Sequence, residues 1–190
     1  MKSVLIIGAT GSLATVVIDQ LEKQDDVRLT LFARNKQRLT DKGNCKVIEG
    51  DAMIYDDVKT AVKGQDIVYV NLAGNLEAMT KNIVRAMQEM GAKRVIAISS
   101  IGIYDVPLKP VLVPYKKLAD FIEASGLDYT ILRPDWFTNK DEIDYALTSK
   151  GEPETGTAIS RRSIAAFVTT LIKHPELHLQ QNLGISKPNN

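Results

Sequence analysis

An α/β fold, a doubly wound parallel sheet with helices on both faces, is predicted by three features of this 190-residue chain. Short, unbroken apolar runs recur along it, as expected of parallel strands covered on both sides. Stretches with apolar residues every three and four positions alternate with those runs. Turn residues rich in glycine stand where the runs end. Alternation of this kind builds a parallel sheet through right-handed crossovers.

Each element follows in order. Val4–Ile7 is the first run, closed by Gly8-Ala9-Thr10-Gly11, and Leu13, Val16, Val17 and Leu21 then share one face of a helix spanning Ser12 to Lys23. Val27–Ala33 reads as a second strand, followed by the polar turn Arg34–Arg38, and Lys46–Glu49 as a short third strand ending at Gly50-Asp51-Ala52. Val58, Ala61 and Val62 give a modest helical stripe, and Ile67–Val70 is a fourth strand closed by Asn71-Leu72-Ala73-Gly74. Leu76, Met79, Ile83, Ala86, Met87 and Met90 mark a long helix. Its methionines suit a core or a dimer seam. Arg94–Ser99 is a fifth strand, Tyr115–Ala124 a helix and Tyr129–Leu132 a sixth strand. Ile164, Phe167, Val168, Leu171 and Ile172 define a last amphipathic helix ended by His174-Pro175, with Leu183–Ser186 as a small final strand. In such a sheet ligands collect at the carboxyl ends of the strands.

The first of those ends carries the most chemistry. Gly8 and Gly11 allow a tight turn and close approach of a phosphate to the backbone. The helix beginning at Ser12 then offers free N–H groups and the positive end of its dipole. Strand, glycines and helix in this order form the fingerprint of a dinucleotide site, with Ala14 at the third glycine position, where only close helix–strand packing is required. Thr10 and Ser12 add hydroxyl donors, and Leu13 follows them into the helix. A glycine pair alone would be no more than a turn; the flanking strand and helix are what make it a cofactor site.

Bulk properties narrow the field. With 44% hydrophobic residues the chain can bury one substantial core, so residues 1–190 are expected to form a single domain. A formal charge of +1 implies no broad attraction to nucleic acid or to an anionic membrane. The lone Cys45 excludes an internal disulfide and fits a reducing, cytoplasmic setting. The apolar start breaks at Gly8 and reads as a core strand instead of a signal peptide. His174 and His178 have no third ligand in view, so no metal site is expected.

Several segments together resemble a known family. Gly8-Ala-Thr-Gly11, Asn71-Leu-Ala-Gly74, Ile98-Ser-Ser-Ile-Gly-Ile-Tyr104, Lys116-Lys-Leu-Ala-Asp120 and Ser125-Gly-Leu-Asp-Tyr-Thr-Ile-Leu-Arg-Pro134 are similar to the atypical short-chain dehydrogenase/reductases, with the small NAD(P)H-binding, NmrA-like proteins as the nearest group. The likeness runs through Ile159-Ser160-Arg161 to Gly184-Ile-Ser-Lys-Pro188. It implies a Rossmann-type domain. Members of this family range from flavin or quinone reductases to redox sensors that bind a dinucleotide without turnover. Asp51 and Ala52 match the family position that holds the adenine ring, although Asp after Gly is also a common turn residue. Leu72, Ala73 and Gly74 would let the backbone approach the adenosine ribose and the diphosphate.

The residue just past the second strand separates NAD from NADP: an acidic side chain there would bond a free ribose 2′-hydroxyl, whereas arginine accommodates a 2′-phosphate. This chain has Arg34, with Lys36 and Arg38 close behind, so NADP(H) is expected in preference to NAD(H). The alternative is a turn that is merely basic.

Catalysis is less plainly written. A tyrosine activated by a lysine one helical turn on is absent: Leu112 and Val113 stand four residues before Lys116 and Lys117, and Tyr115 precedes both lysines directly. Lys116 is expected to hold the nicotinamide ribose, and Ser99 or Ser100 to reach the nicotinamide or a substrate oxygen, with Pro134 at the sixth strand's exit. Both serines could equally make local turn bonds. Trp136 and Phe137, with Tyr104, are the candidate walls for a flat ring; the two loop aromatics could instead cap the core. Residues 135–160 form a short substrate-side segment, which leaves a shallow, open pocket. Two functions stay open. One is NADPH-dependent reduction of a small planar acceptor such as a quinone or flavin, which needs little from the protein beyond orientation. The other is a non-catalytic redox sensor acting through a regulatory protein partner. A monomer or homodimer is expected in either case.

Overall fold

The computed structural model describes residues 1–39, 43 and 45–189. Among the described residues, ten strands and five α-helices follow one another: β1 Lys2–Ile7, α1 Ser12–Leu21, β2 Val27–Ala33, β3 Lys46–Glu49, α2 Tyr55–Val62, β4 Ile67–Val70, α3 Leu76–Met90, β5 Arg94–Ile98, α4 Val113–Glu123, β6 Asp128–Pro134, β7 Phe137–Thr138, β8 Ala146–Ser149, β9 Ile159–Ser160, α5 Arg161–Lys173 and β10 Gln181–Ser186. Eight strands make one sheet in the order β3-β2-β1-β4-β5-β6-β10-β8, and β7 pairs with β9 apart from it. Every pair in the large sheet is parallel except β10 with β8.

Alternation along the strands explains the layers. Val4 and Ile6 face α1 and α5, in a core completed by Leu13, Val17, Ile164, Phe167 and Leu171. Leu5 and Ile7 face the other way, onto α2, α3 and α4 through Val58, Ile83, Met87 and Leu118. Burial on both faces is why these strands read as continuous apolar runs. Met87 is fully buried and Met79 nearly so, placing both in the core beneath α3. Helix α3 is capped by Asn75, whose side chain accepts from Ala78 N, and α5 by Ser160, which accepts from Ser163 N.

Three expectations change. Helix α4 begins at Val113 instead of Tyr115, because Pro114 is tolerated in a first turn, where its missing N–H has no intrahelical partner to serve. Strand β10 starts at Gln181 and lies between β6 and β8, so it is an interior strand of the sheet and not a small terminal one. The stretch after Asn139 returns to the main sheet as β8, antiparallel to β10 with Ile185 opposite Leu147. Its half-exposed Ala-Leu-Thr-Ser carries almost no apolar signal. No helix among the described residues is long and apolar enough to cross a membrane.

The order reverses at β1: β2 and β3 lie to one side, β4 to the other. The loops leaving β1 and β4 therefore part at their carboxyl ends, and a crevice opens between them.

Candidate functional site

A cleft of about 1200 Å³ opens at that reversal, larger than the roughly 300–1000 Å³ of ordinary small-molecule pockets. It runs from the carboxyl end of β2 across β1 and β4 to the loops after β5 and β6.

Its middle is backbone. Ile7 is level with Val70 in the β1–β4 register, so Gly8 and Asn71 leave their strands side by side. Asn71 N donates to Ile7 O at 3.0 Å, and Gly8 N to Phe32 O at 3.2 Å. Gly8 has φ +86°, and a Cβ there would stand 2.1 Å from Asn71 O. Only glycine fits. Gly11, Thr10, Ser12 and Leu13 continue the wall into α1, and Leu72, Ala73 and Gly74 form the facing edge. An elongated ligand carrying phosphates suits this floor, where Gly8 and Gly11 expose backbone against the start of α1.

At one end stand Arg34, Asp51 and Ala52. Arg34 is exposed, and among the described residues it has no ion-pair partner. Asp51 is engaged in its own turn, Oδ1 accepting from Met53 N at 2.9 Å, while its N–H donates to Asp57 Oδ2 at 2.9 Å. Lys36 and Arg38 do not line the cleft; they belong to the short 3₁₀ turn Lys36–Leu39, and Lys36 Nζ turns to Glu49 at 3.7 Å.

At the other end the expected residues part company. Ser99, Ser100, Pro134, Trp136 and Phe137 line the wall. Both serine hydroxyls are engaged within the chain: Ser99 Oγ donates across to Tyr115 O on α4, and only Ser100 Oγ bonds locally, to Ile101 O, each at 3.1 Å. Trp136 is 82% exposed and Phe137 37%, so neither caps the core. Lys116 is not in the wall: its ammonium grips Asp120, one helical turn on, at 2.7 and 2.8 Å along the outside of α4. Tyr104 also lies off the cleft. Its hydroxyl accepts from Asn182 Nδ2 at 2.8 Å, the Arg133 guanidinium stands 5.2 Å from its ring, and burial, aided by Glu123, pushes its phenol up.

Other residues arrive unannounced. Tyr115, one position before the lysines, does line the cleft, with Leu112, Val111 and Lys109 beside it. Glu154 lines it as well. One carboxylate oxygen accepts from the fully buried Arg133 Nε at 2.6 Å and the other from Gly102 N at 2.9 Å. Arg133 also donates to Asn182 O and Oδ1 at 2.8 and 2.6 Å. This polar knot joins the returning segment, β6 and the loop after β5 beneath the cleft.

Comparison with known proteins agrees with the geometry. The family model described as NAD(P)H-binding matches residues 8–175. A Rossmann-fold NAD(P)-binding family protein from Shigella flexneri superposes with a TM-score of 0.92 at 44% identity, covering 100% of this chain and 95% of that one. A short-chain dehydrogenase/reductase from Veillonella parvula, solved in complex with NADP, has the same fold, with a TM-score of 0.89 at 23% identity over 99% of this chain and 95% of that one. An isoflavone reductase homolog from Nicotiana tabacum is 25% identical over 82% of this chain, which spans 54% of that protein's length. The chain belongs to the NAD(P)H-binding family of Rossmann-fold proteins.

Proposed function

We propose that the protein is an NADPH-dependent oxidoreductase that reduces a small planar acceptor such as a quinone or flavin. The observation that carries this reading is the continuity of the cleft. One opening joins the glycine cradle at Gly8 to the exposed rings of Trp136 and Phe137. When bound, NADPH supplies the hydride. The chain does the rest by placement. The backbone at Gly8 and Gly11 and the start of α1 hold the diphosphate, Arg34 takes the 2′-phosphate, and Trp136 with Phe137 stacks the acceptor. Protons come from water or from Tyr115, which is the one phenol along the wall among the described residues. The NADP complex of the Veillonella relative supports the phosphate-bearing cofactor.

A second reading, a redox sensor acting through a protein partner, is favoured by one observation: Lys116 is turned out to Asp120, and among the described residues no lysine one helical turn after Tyr115 faces the cleft. NADPH oxidation assayed against quinones and flavins separates the two readings. Turnover supports the enzyme; unequal affinity for NADPH and NADP⁺ without turnover supports the sensor.

The cofactor choice has its own test. Charge-assisted bonds to a phosphate contribute on the order of 1.5–3 kcal/mol, a ten- to hundredfold effect on affinity. Arg34→Ala is expected to weaken NADPH by such a factor while leaving NADH unchanged. Equal affinities of the wild type for the two cofactors would refute the assignment.

A further inference from the structure

Arg161, the first residue of α5, does not itself line the cleft but stands directly behind two residues that do. Its Nε donates to Ser12 Oγ at 3.2 Å and its Nη1 to Asn139 Oδ1 at 2.8 Å, with Thr138 O at 3.5 Å. Its guanidinium carbon lies 5.0 Å from the centre of the Phe137 ring. Ser12 and Phe137 both line the cleft, one beside the glycine turn and the other at the aromatic loop.

All the partners of this cation are neutral. Among the described residues no carboxylate pairs with it, whereas the adjacent Arg162 pairs with Asp141. The first turn of α5 contains no acidic residue. A guanidinium there also stands at the end of the helix dipole that disfavours positive charge. A half-buried arginine in this position lacks the counter-charge that usually offsets its desolvation.

Resting on the reading of the cleft as a dinucleotide site, we propose that Arg161 is a ligand of the cofactor diphosphate, exchanging its hold on Ser12 for the phosphate oxygens. The chemistry fits. Guanidinium offers a planar fork of donors to phosphate, which a hydroxyl and an amide oxygen fill only weakly. The diphosphate is common to NADPH and NADH, so Arg161 serves both, in contrast to Arg34 at the ribose phosphate. Because the same guanidinium lies against Phe137, the residue also joins cofactor occupancy to the acceptor wall.

Equilibrium binding is the readout. Kd values for NADPH, NADH and adenosine 2′-monophosphate, which lacks the diphosphate, are measured by titration calorimetry for the wild type, Arg161→Gln and Arg161→Lys. Melting temperatures are taken without ligand. Arg161→Gln is expected to weaken NADPH and NADH by the same factor, on the order of ten- to a hundredfold, and to leave adenosine 2′-monophosphate unaffected. Arg161→Lys should recover part of the loss. Unchanged dinucleotide affinity in a folded Arg161→Gln protein overturns the proposal, as does an equal loss for adenosine 2′-monophosphate, which marks a purely structural strap. If Arg161→Gln does not fold, Arg161→Met, which keeps the stem against Phe137, carries the same comparison. Failure of both neutral variants to fold assigns the residue to structure and also overturns the proposal. A wild type that binds neither dinucleotide is a separate result, and it removes the underlying reading of the cleft.

Discussion

Replacing Trp136 and Phe137 together by alanine tests whether the proposed acceptor site is separate from the cofactor site. Trp136 is 82% exposed and Phe137 37%, so truncation removes little buried surface. Exposed substitutions usually change stability by no more than about 0.5 kcal/mol. Phe137 additionally loses its contact with the Arg161 guanidinium, worth about 0.5–1 kcal/mol at an exposed site. The short β7–β9 pairing is made by backbone and survives. Against an acceptor the rings count for more, since each stacked aromatic pair contributes roughly 0.5–1.5 kcal/mol beyond its area. Two rings therefore give about 1–3 kcal/mol, or a rise of about five- to a hundredfold in the Michaelis constant where that constant reports binding. NADPH affinity should fall by much less than acceptor affinity, because the cradle at Gly8 lies further along the cleft and only the Phe137–Arg161 contact links the two ends. Steady-state kinetics over a quinone and flavin panel, with melting curves taken with and without NADPH, make the measurement. Unfolding of the double variant would return both rings to the core. A folded variant with unchanged turnover and Michaelis constant would place the acceptor elsewhere.

Two other perturbations follow from the structure. Glu154→Ala strands the Arg133 guanidinium, whose side chain is 1% exposed, and should cost about 3–5 kcal/mol in denaturant unfolding; a loss below about 1 kcal/mol would show that the pair behaves like a surface contact. Glu77 on α3 meets Lys117 of α4 and Lys81, and those two lysines hold its carboxyl down at about 2. A folded-state value below the unfolded one gives stability that is present above the ordinary carboxylate range and lost as pH falls towards 2. Melting temperatures of the wild type should therefore exceed those of Glu77→Gln at neutral pH and converge with them near pH 2, and parallel curves would exclude this pairing as the source.

How far the sequence foretold the molecule depends on where each signal comes from. β1, β4 and β5 are covered on both sides, so Leu5, Val68 and Ile96 had to be apolar and the runs were legible. β8 is a half-exposed edge strand whose pairing with β10 is a long-range event, and its four residues carry no period to read. The glycine cradle was legible because one strand, one turn and one helix build it locally. Tyr115 and Glu154 reach the cleft through tertiary placement, and neither has a local mark. Lys116 illustrates a competing signal that was visible: Asp120 stands four residues on, the spacing at which a helix brings opposite charges together, and that pair takes the ammonium away from the cleft.

The two ends of the cleft are secured by different means, and this bears on how specificity can change. At the cradle the geometry is set by backbone. The β1–β4 register and the contact of Gly8 with Asn71 O leave no room for a side chain at Gly8, so the turn itself tolerates no substitution there. At the acceptor end the walls are loops, residues 101–112 on one side and the segment after Pro134 on the other. Glu154 ties them to each other through Gly102 N, and Arg133 ties them to the sheet. That tie lies beneath the wall, while the surfaces facing a ligand, Val111, Trp136 and Phe137, are exposed and carry little of the fold's stability. Exchanging those three reshapes the acceptor site at small cost, provided the Glu154 knot is kept. Under the proposed function, a domain arranged in this way keeps one cofactor and turns to different flat acceptors by changing residues that the core does not need.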